Sequence, residues 1–220
     1  MRDTMMNKQG PGKIDWCTHT WNPISGCKHN CSYCYLHRLE KIGRFNMIPQ
    51  IHDDRLEDPG KIKKPSTIFV GSSGDMFGDW IEAQYIQKVI DVTKKYIQHN
   101  YLFLTKNPKR YYDFVFPMNC WLGTTVDTNE RFNKVKELNF PSTLHNKYFI
   151  SFEPLLEEPN FKLVDVPVEW IIIGADSNQG AARPPLRWAK NLIDQAYGLG
   201  VAVWVKDNYE YPETIKHKPQ

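Results

Sequence analysis

The sequence predicts an α/β fold on a parallel sheet, in one domain shaped as an incomplete (β/α) barrel of about six to seven strands. Three observations point there. Short β-branched and aromatic runs alternate with longer segments of helical period along most of the chain. Several of the short runs are apolar almost throughout, as strands covered by helices on both faces are. The chain has 220 residues, whereas a full eight-stranded barrel typically needs ~250, so seven short strands suit an incomplete one better. An open doubly wound sheet is the competing architecture.

Taken in order, strands are expected within 13–21 ("KIDWCTHTW"), 66–71 ("STIFVG"), 101–105 ("YLFLT"), 120–126 ("CWLGTTV"), 147–152 ("KYFISF"), 169–174 ("EWIIIG") and 201–206 ("VAVWVK"). A helix from about Ser32 to Ile42 has to begin inside a cysteine-rich loop. Asp79 and Glu82 have capping-box spacing ahead of a helix whose Ile81, Tyr85 and Val89 share one face. Asn107-Pro108 predicts an N-cap and first helical residue before "KRYYDFV". Asp127 with Glu130 predicts the cap of "NERFNKVKEL", and "LRWAKNLIDQAYGLG" ends in glycines suited to a helix C-terminus. The connection 152–169 contains Pro154, Pro159 and Pro167 and is expected to lack a long helix. Residues 44–65 fit no element and are either a lid or a long surface connection. No repeat, low-complexity tract or linker interrupts the chain, so residues 1–220 are expected to form a single domain.

Hydrophobic residues make up 41% and charged residues 24%, a balance that excludes a disordered chain. No apolar run reaches the ~18 residues of a membrane-crossing helix, so no membrane partner is expected. The opening "MRDTMMNKQGPGKIDW" lacks the apolar core of a signal peptide, and a cytoplasmic protein is expected. Thiols stay reduced there, so clustered cysteines are expected to bind metal or act catalytically rather than pair. The net charge of +3 permits a nucleic-acid partner without arguing for one.

Ligands of parallel α/β sheets bind at the carboxyl ends of the strands. The residues at those ends are Ser72, Ser73, Gly74 and Asp75, then Lys106, then Thr124, Thr125 and Asp127. Ser151 and Glu153 follow, then Gly174, Asp176 and Ser177, and finally Lys206 and Asp207. Any one of these reads equally well as a strand exit or a helix cap. A lysine and several carboxylates aimed at one mouth favour function, because such groups are rarely buried without partners. Gly74 marks either a tight turn or backbone left bare for a ligand.

The densest signal is "SGCKHNCSYCYLHRL", which spaces Cys27, Cys31 and Cys34 as C-x3-C-x2-C. The residues alone leave three readings open. The cysteines bind zinc with His19, His29 or His37 as fourth ligand. They hold three irons of a [4Fe–4S] cluster whose fourth iron is open. Or they are buried or redox thiols. His29 reads as a loop residue rather than a ligand, and Cys17 and Cys120 as small core residues.

This spacing, after the first strand of a partial barrel and with aromatic Tyr33 before the last cysteine, resembles the radical S-adenosylmethionine superfamily. The blocks "TWNPISGC", "IFVGSSGDMF", "LTKNPKR", "SFEPLL", "WIIIGADS" and "ARPPLRW" resemble, in order and spacing, the phage Gp37/Gp68 family, which carries the label of a domain of unknown function. Spore photoproduct lyases are more distantly similar. The resemblance implies a [4Fe–4S] cluster on Cys27, Cys31 and Cys34, whose open iron is chelated by S-adenosylmethionine. It also implies an external electron donor, flavodoxin- or ferredoxin-like, and hydrogen abstraction from a substrate, with a nucleic acid or nucleotide as the favoured class. Tyr33 would then pack near the adenine, Ser72, Ser73 and Asp75 take the methionine end, and Thr124, Thr125 and Glu153 the ribose. Gly174 would border the cofactor, and Lys106, Asp176, Arg183 and Lys206 reach cofactor or substrate. Two positions depart from the pattern: "GSSGD" stands where the superfamily has G-G-E, and the family's G-G-E-S turn reads Gly174-Ala175-Asp176-Ser177. The competing class is a zinc-stabilised nucleic-acid-binding protein without catalysis.

Overall fold

The alternating runs fold as a mixed α/β protein whose eight-stranded, mostly parallel sheet does not close into a barrel. A computed structural model describes residues 6–136 and 146–219. The chain divides into two compact units, Met1–Leu122 and Gly123–Gln220.

In the first unit, β1 (Asn7–Lys8) pairs antiparallel with β2 (His19–Trp21). β2 in turn runs parallel to β5 (Thr67–Val70), and β5 to β6 (Asn100–Thr105). A small ribbon joins β3 (Ile24–Ser25) to β4 (Gln50–Ile51), and the helices are α1 (Tyr35–Lys41) and α2 (Ala83–Lys95). The first parallel strand covers only the end of the expected 13–21. Before it, Trp16 is buried in a loop against Phe69, ring centroids 4.7 Å apart.

The expected capping box does not form. α2 is N-capped by Glu82 without a side-chain bond, while Asp79 accepts from Asn107 Nδ2 at 2.8 Å. Ile81 lies ahead of the helix, though it is buried together with Tyr85 and Val89. Pro108 opens a 3-10 helix, Pro108–Asp113, whose Arg110 donates to the carbonyls of Gly78 and Ile81 at 2.6 and 2.9 Å. The core of this unit centres on Phe77, whose ring touches those of Phe103, Tyr111, Phe114 and Phe116. Such aromatic clusters bury large areas and fix ring geometry.

Residues 44–65 form an ordered connection with β4 and two 3-10 turns, Asp53–Arg55 and Asp58–Lys61. The "TWNP" segment ties it down. Trp21 Nε1 donates to the Arg55 carbonyl at 2.8 Å, and His52 N–H to that of Pro23 at 2.8 Å.

β7 (Cys120–Thr125) contains the division between the units. In the second unit β8 (Lys147–Phe152), β9 (Trp170–Ile173) and β10 (Ala202–Val205) run parallel in that order. Their helices are α3 (Asn129–Lys136) and α4 (Leu186–Gly198). Buried Phe132, Phe152, Ile171, Leu192 and Val203 belong to one core, against which Phe161 stacks 3.7 Å from Phe132. The α3 cap is Thr128, whose hydroxyl accepts from Arg131 N–H at 3.3 Å, and Asp127 instead pairs with Arg131 Nε at 2.7 Å. The last two residues of the expected "NERFNKVKEL" helix lie outside the described residues. α4 ends as its glycines predict, with Val201 N–H donating to the Ala196 carbonyl at 2.8 Å past a left-handed Gly200. The connection 152–169 holds one short 3-10 turn, Leu163–Asp165, and no long helix. Among the described residues no helix is long and apolar enough to cross a membrane.

Candidate metal and cofactor site

The cysteine loop is positioned by the turn after β5. Asn22 of "TWNP" accepts from the Ser72 hydroxyl at 3.1 Å and from Ser73 N–H at 3.0 Å, so the "GSSGD" turn is held against the chain leaving β2. Gly26 N–H then donates to the Ser73 carbonyl at 2.9 Å, and Gly26 and Gly74 form a parallel bridge. A Cβ on Gly74 would lie 2.7 Å from the Gly26 carbonyl oxygen. Gly74 is therefore bare because a backbone passes over it.

Cys27 follows directly, its N–H bonded to the Met47 carbonyl at 3.0 Å. Cys34 N–H bonds the Cys31 carbonyl at 3.0 Å, and Cys34 is the N-cap residue of α1. The helix thus begins on the last cysteine rather than at Ser32. All three thiols are free and half-buried, and each lies within electrostatic reach of the other two. Burial pushes the Cys27 thiol up to about 11 against a hydrogen bond from the His29 backbone, and it raises Cys34 likewise. Neutral thiols are therefore favoured without a cation, and metal binding would release protons.

Two further side chains of the loop are anchored to strand ends. His29 Nε2 lies 2.7 Å from Asp75 Oδ2, and its ring packs edge-on to Trp80 with centroids 4.9 Å apart. Asp75 is buried and also accepts from Thr105 Oγ1 at 2.7 Å and from the N–H groups of Phe77 and Lys106, both at 2.9 Å. Four groups thus occupy a carboxylate with about four acceptor sites. Asp75 holds the loop, the turn and the end of β6 in one arrangement. The Lys106 ammonium donates to the Tyr33 hydroxyl and lies 5.1 Å from that ring's centroid. Cys27, Cys31, Cys34, Tyr33, Ser72, Ser73, Asp75 and Lys106 are thereby brought together. The sequence reading missed Asn22, Thr105 and the structural use of His29. The signal for Asn22 was its place before Pro23 in "TWNP", while nothing local marks Thr105.

The second unit gathers its own polar residues. Lys206 forms an ion pair with Glu153 Oε1. Gly174 lies beside that pair, where a Cβ would sit 3.0 Å from Glu153 Cγ and 3.2 Å from Lys206 Cδ. Arg183 Nη1 donates to the Asp176 carbonyl at 3.1 Å, and its Nε to Glu210 at 3.0 Å. The Asp176 carboxylate closes its own turn by accepting from Asn178 N–H at 2.8 Å. Thr124 and Thr125 finish β7 with buried side chains.

A [4Fe–4S] cluster is ordinarily held by four thiolates, so the three of this loop would fit one whose fourth iron takes a ligand from outside the protein. The histidines near the loop each engage one ring nitrogen, His29 Nε2 with Asp75, His37 Nδ1 3.4 Å from Glu40 and His19 Nδ1 3.1 Å from Thr18, as an imidazole that holds a metal through its other nitrogen also does.

Fold and loop together define an α/β protein with a three-cysteine loop at the carboxyl end of a parallel strand. The chain belongs to the family of proteins of unknown function DUF5131, whose model matches residues 11–219. No curated protein and no solved structure matches it.

Proposed function

We propose that this chain is a radical S-adenosylmethionine enzyme that acts on a nucleotide or nucleic acid, with Cys27, Cys31 and Cys34 as ligands of a [4Fe–4S] cluster. The observation that carries the reading is the donor set. Three half-buried thiols lie on one loop after a parallel strand, with the Lys106–Tyr33 pair beside Cys34. When bound, a cluster of this type supplies the electron for reductive cleavage of S-adenosylmethionine.

The residues around the loop have separable parts. Asp75, through His29, Thr105 and the N–H groups of Phe77 and Lys106, is a positioning residue that keeps the loop in register with the strand ends. Asn22 does the same for the serine turn. Lys106 and Tyr33 form a charged, aromatic wall beside the thiols, suited to a polar cofactor with a flat base. The nucleic-acid preference is supported by the likeness to a phage family and to lyases that repair DNA.

Anaerobic reconstitution tests the reading. About four irons per chain, as a [4Fe–4S] cluster requires, and a brown colour are expected. So is 5′-deoxyadenosine on addition of S-adenosylmethionine and reductant. Bound zinc with no deoxyadenosine would overturn it.

A further inference from the structure

The loop and helix that carry the cysteines also carry the protein's excess charge. Residues 28–44 contain Lys28, Arg38, Lys41 and Arg44 against Glu40 alone, a net +3 equal to that of the whole chain. The remainder is therefore balanced. Elsewhere, surface cations are commonly paired: Lys94 with Asp91, Lys95 with Glu57, Lys134 with Glu130, Lys190 with Asp194 and Arg187 with Glu158. Among the described residues, Lys28, Arg38, Lys41 and Arg44 form no ion pair, and all four are exposed. The one carboxylate in the segment, Glu40, faces His37.

These cations sit close to the thiols along the chain. Lys28 adjoins Cys27, and at 1.5 Å of rise per residue Arg38 and Lys41 lie about 6 Å and about 10 Å along the helix from Cys34. Arg38 and Lys41 occupy the side of α1 opposite buried Leu36, with Lys28 in the loop before the helix and Arg44 just past its end. Apolar side chains flank them: Tyr35, Ile42 and Ile48 are 40%, 57% and 67% exposed.

We propose that the outward face of α1, with the cysteine loop before it, is the docking surface of an acidic one-electron carrier protein. This deepens the cluster reading and depends on it, since that reading requires an electron from outside the chain. The carrier loses one electron and the cluster gains it, and no bond or proton is moved by the docking residues. A cationic rim steers an acidic protein to the thiols and raises the association rate. The exposed isoleucines favour a protein over a polynucleotide. Aromatic side chains among cations also serve base stacking, but exposed aliphatic Ile42 and Ile48 beside arginines are the composition of a protein interface.

The test uses the full, reconstituted chain and a reduced acidic flavodoxin, with cluster reduction followed by stopped-flow loss of visible absorbance. The double variant Arg38→Glu/Lys41→Glu is compared with Lys63→Glu/Lys64→Glu. The latter makes the same charge change at exposed residues before β5, at the strand end away from the cysteine loop. At low salt the first variant is expected to be reduced at least tenfold more slowly than the parent, with a flattened salt dependence, and the second at the parent rate. A neutral photoreduced deazaflavin is expected to reduce all three equally. Equal flavodoxin rates would overturn the proposal. So would a double-stranded oligonucleotide that binds the parent and not the first variant while flavodoxin rates stay equal. A reconstituted chain without iron overturns the cluster reading itself, and this inference with it.

Discussion

Asp75 shows what a single buried carboxylate does here. It gathers His29 from the cysteine loop, Thr105 and Lys106 from the end of β6 and Phe77 from its own turn. Replacing it with alanine leaves several buried donors unmet, at about 1–3 kcal/mol each and less than additively. Asp75→Ala is expected to lower unfolding stability by roughly 3 kcal/mol in a urea titration, and Asp75→Asn, which keeps one acceptor, by less. Cys120 is the contrasting cysteine. It is wholly buried with Sγ 3.3 Å from the Thr93 hydroxyl, and burial pushes its thiol up to about 12. At pH 8 such a thiol is almost wholly protonated, and the thiolate is the reactive form. Iodoacetamide is therefore expected to leave Cys120 unlabelled in the folded chain at pH 8 and to label it in denaturant, as read by peptide mass spectrometry. Raising the pH to 10 is expected to leave Cys120 unlabelled while the chain stays folded, because burial both raises the thiol and shields it from reagent.

The parallel strands and the long helices form at the expected apolar runs, the short β1, β3 and β4 form where none was expected, and helix starts shift where other donors take the capping carboxylates. Asp79 is drawn to Asn107 and Asp127 to Arg131, which leaves Glu82 and Thr128 at the helix starts. Both acids had cap spacing in the sequence. A carboxylate taken by another donor, distant in sequence for Asp79 and one turn ahead in α3 for Asp127, no longer serves as the cap. In the second unit α3 is seated mainly by Phe132, fully buried between Phe161 and the strands of its core. Phe132→Ala is expected to cost about 3–5 kcal/mol, measured as a lowered denaturation midpoint with an unchanged slope.

For the whole molecule, the core is built without the three loop cysteines, which are only half-buried. Iron-free protein is therefore expected to keep the far-ultraviolet spectrum of the loaded form. A bound cluster should raise the melting temperature in anaerobic calorimetry, because a ligand that binds only the native state stabilises it. Equal melting temperatures for loaded and triple Cys→Ala protein would contradict stabilisation by a bound cluster. The strand–helix alternation, the helix at the cysteine loop and the glycine end of α4 were legible because each is a local pattern of period, spacing or backbone freedom. The eight-stranded extent of the sheet was less so, since β1 has two residues and no apolar period of its own. By itself the sequence determined the parallel α/β class and a compact group of three thiols. Only the tertiary structure decided that His29 serves Asp75, that Asn22 anchors the serine turn and that Gly74 is bare for Gly26. Those contacts join residues 46, 51 and 48 positions apart, and no local pattern encodes a pairing at such separations.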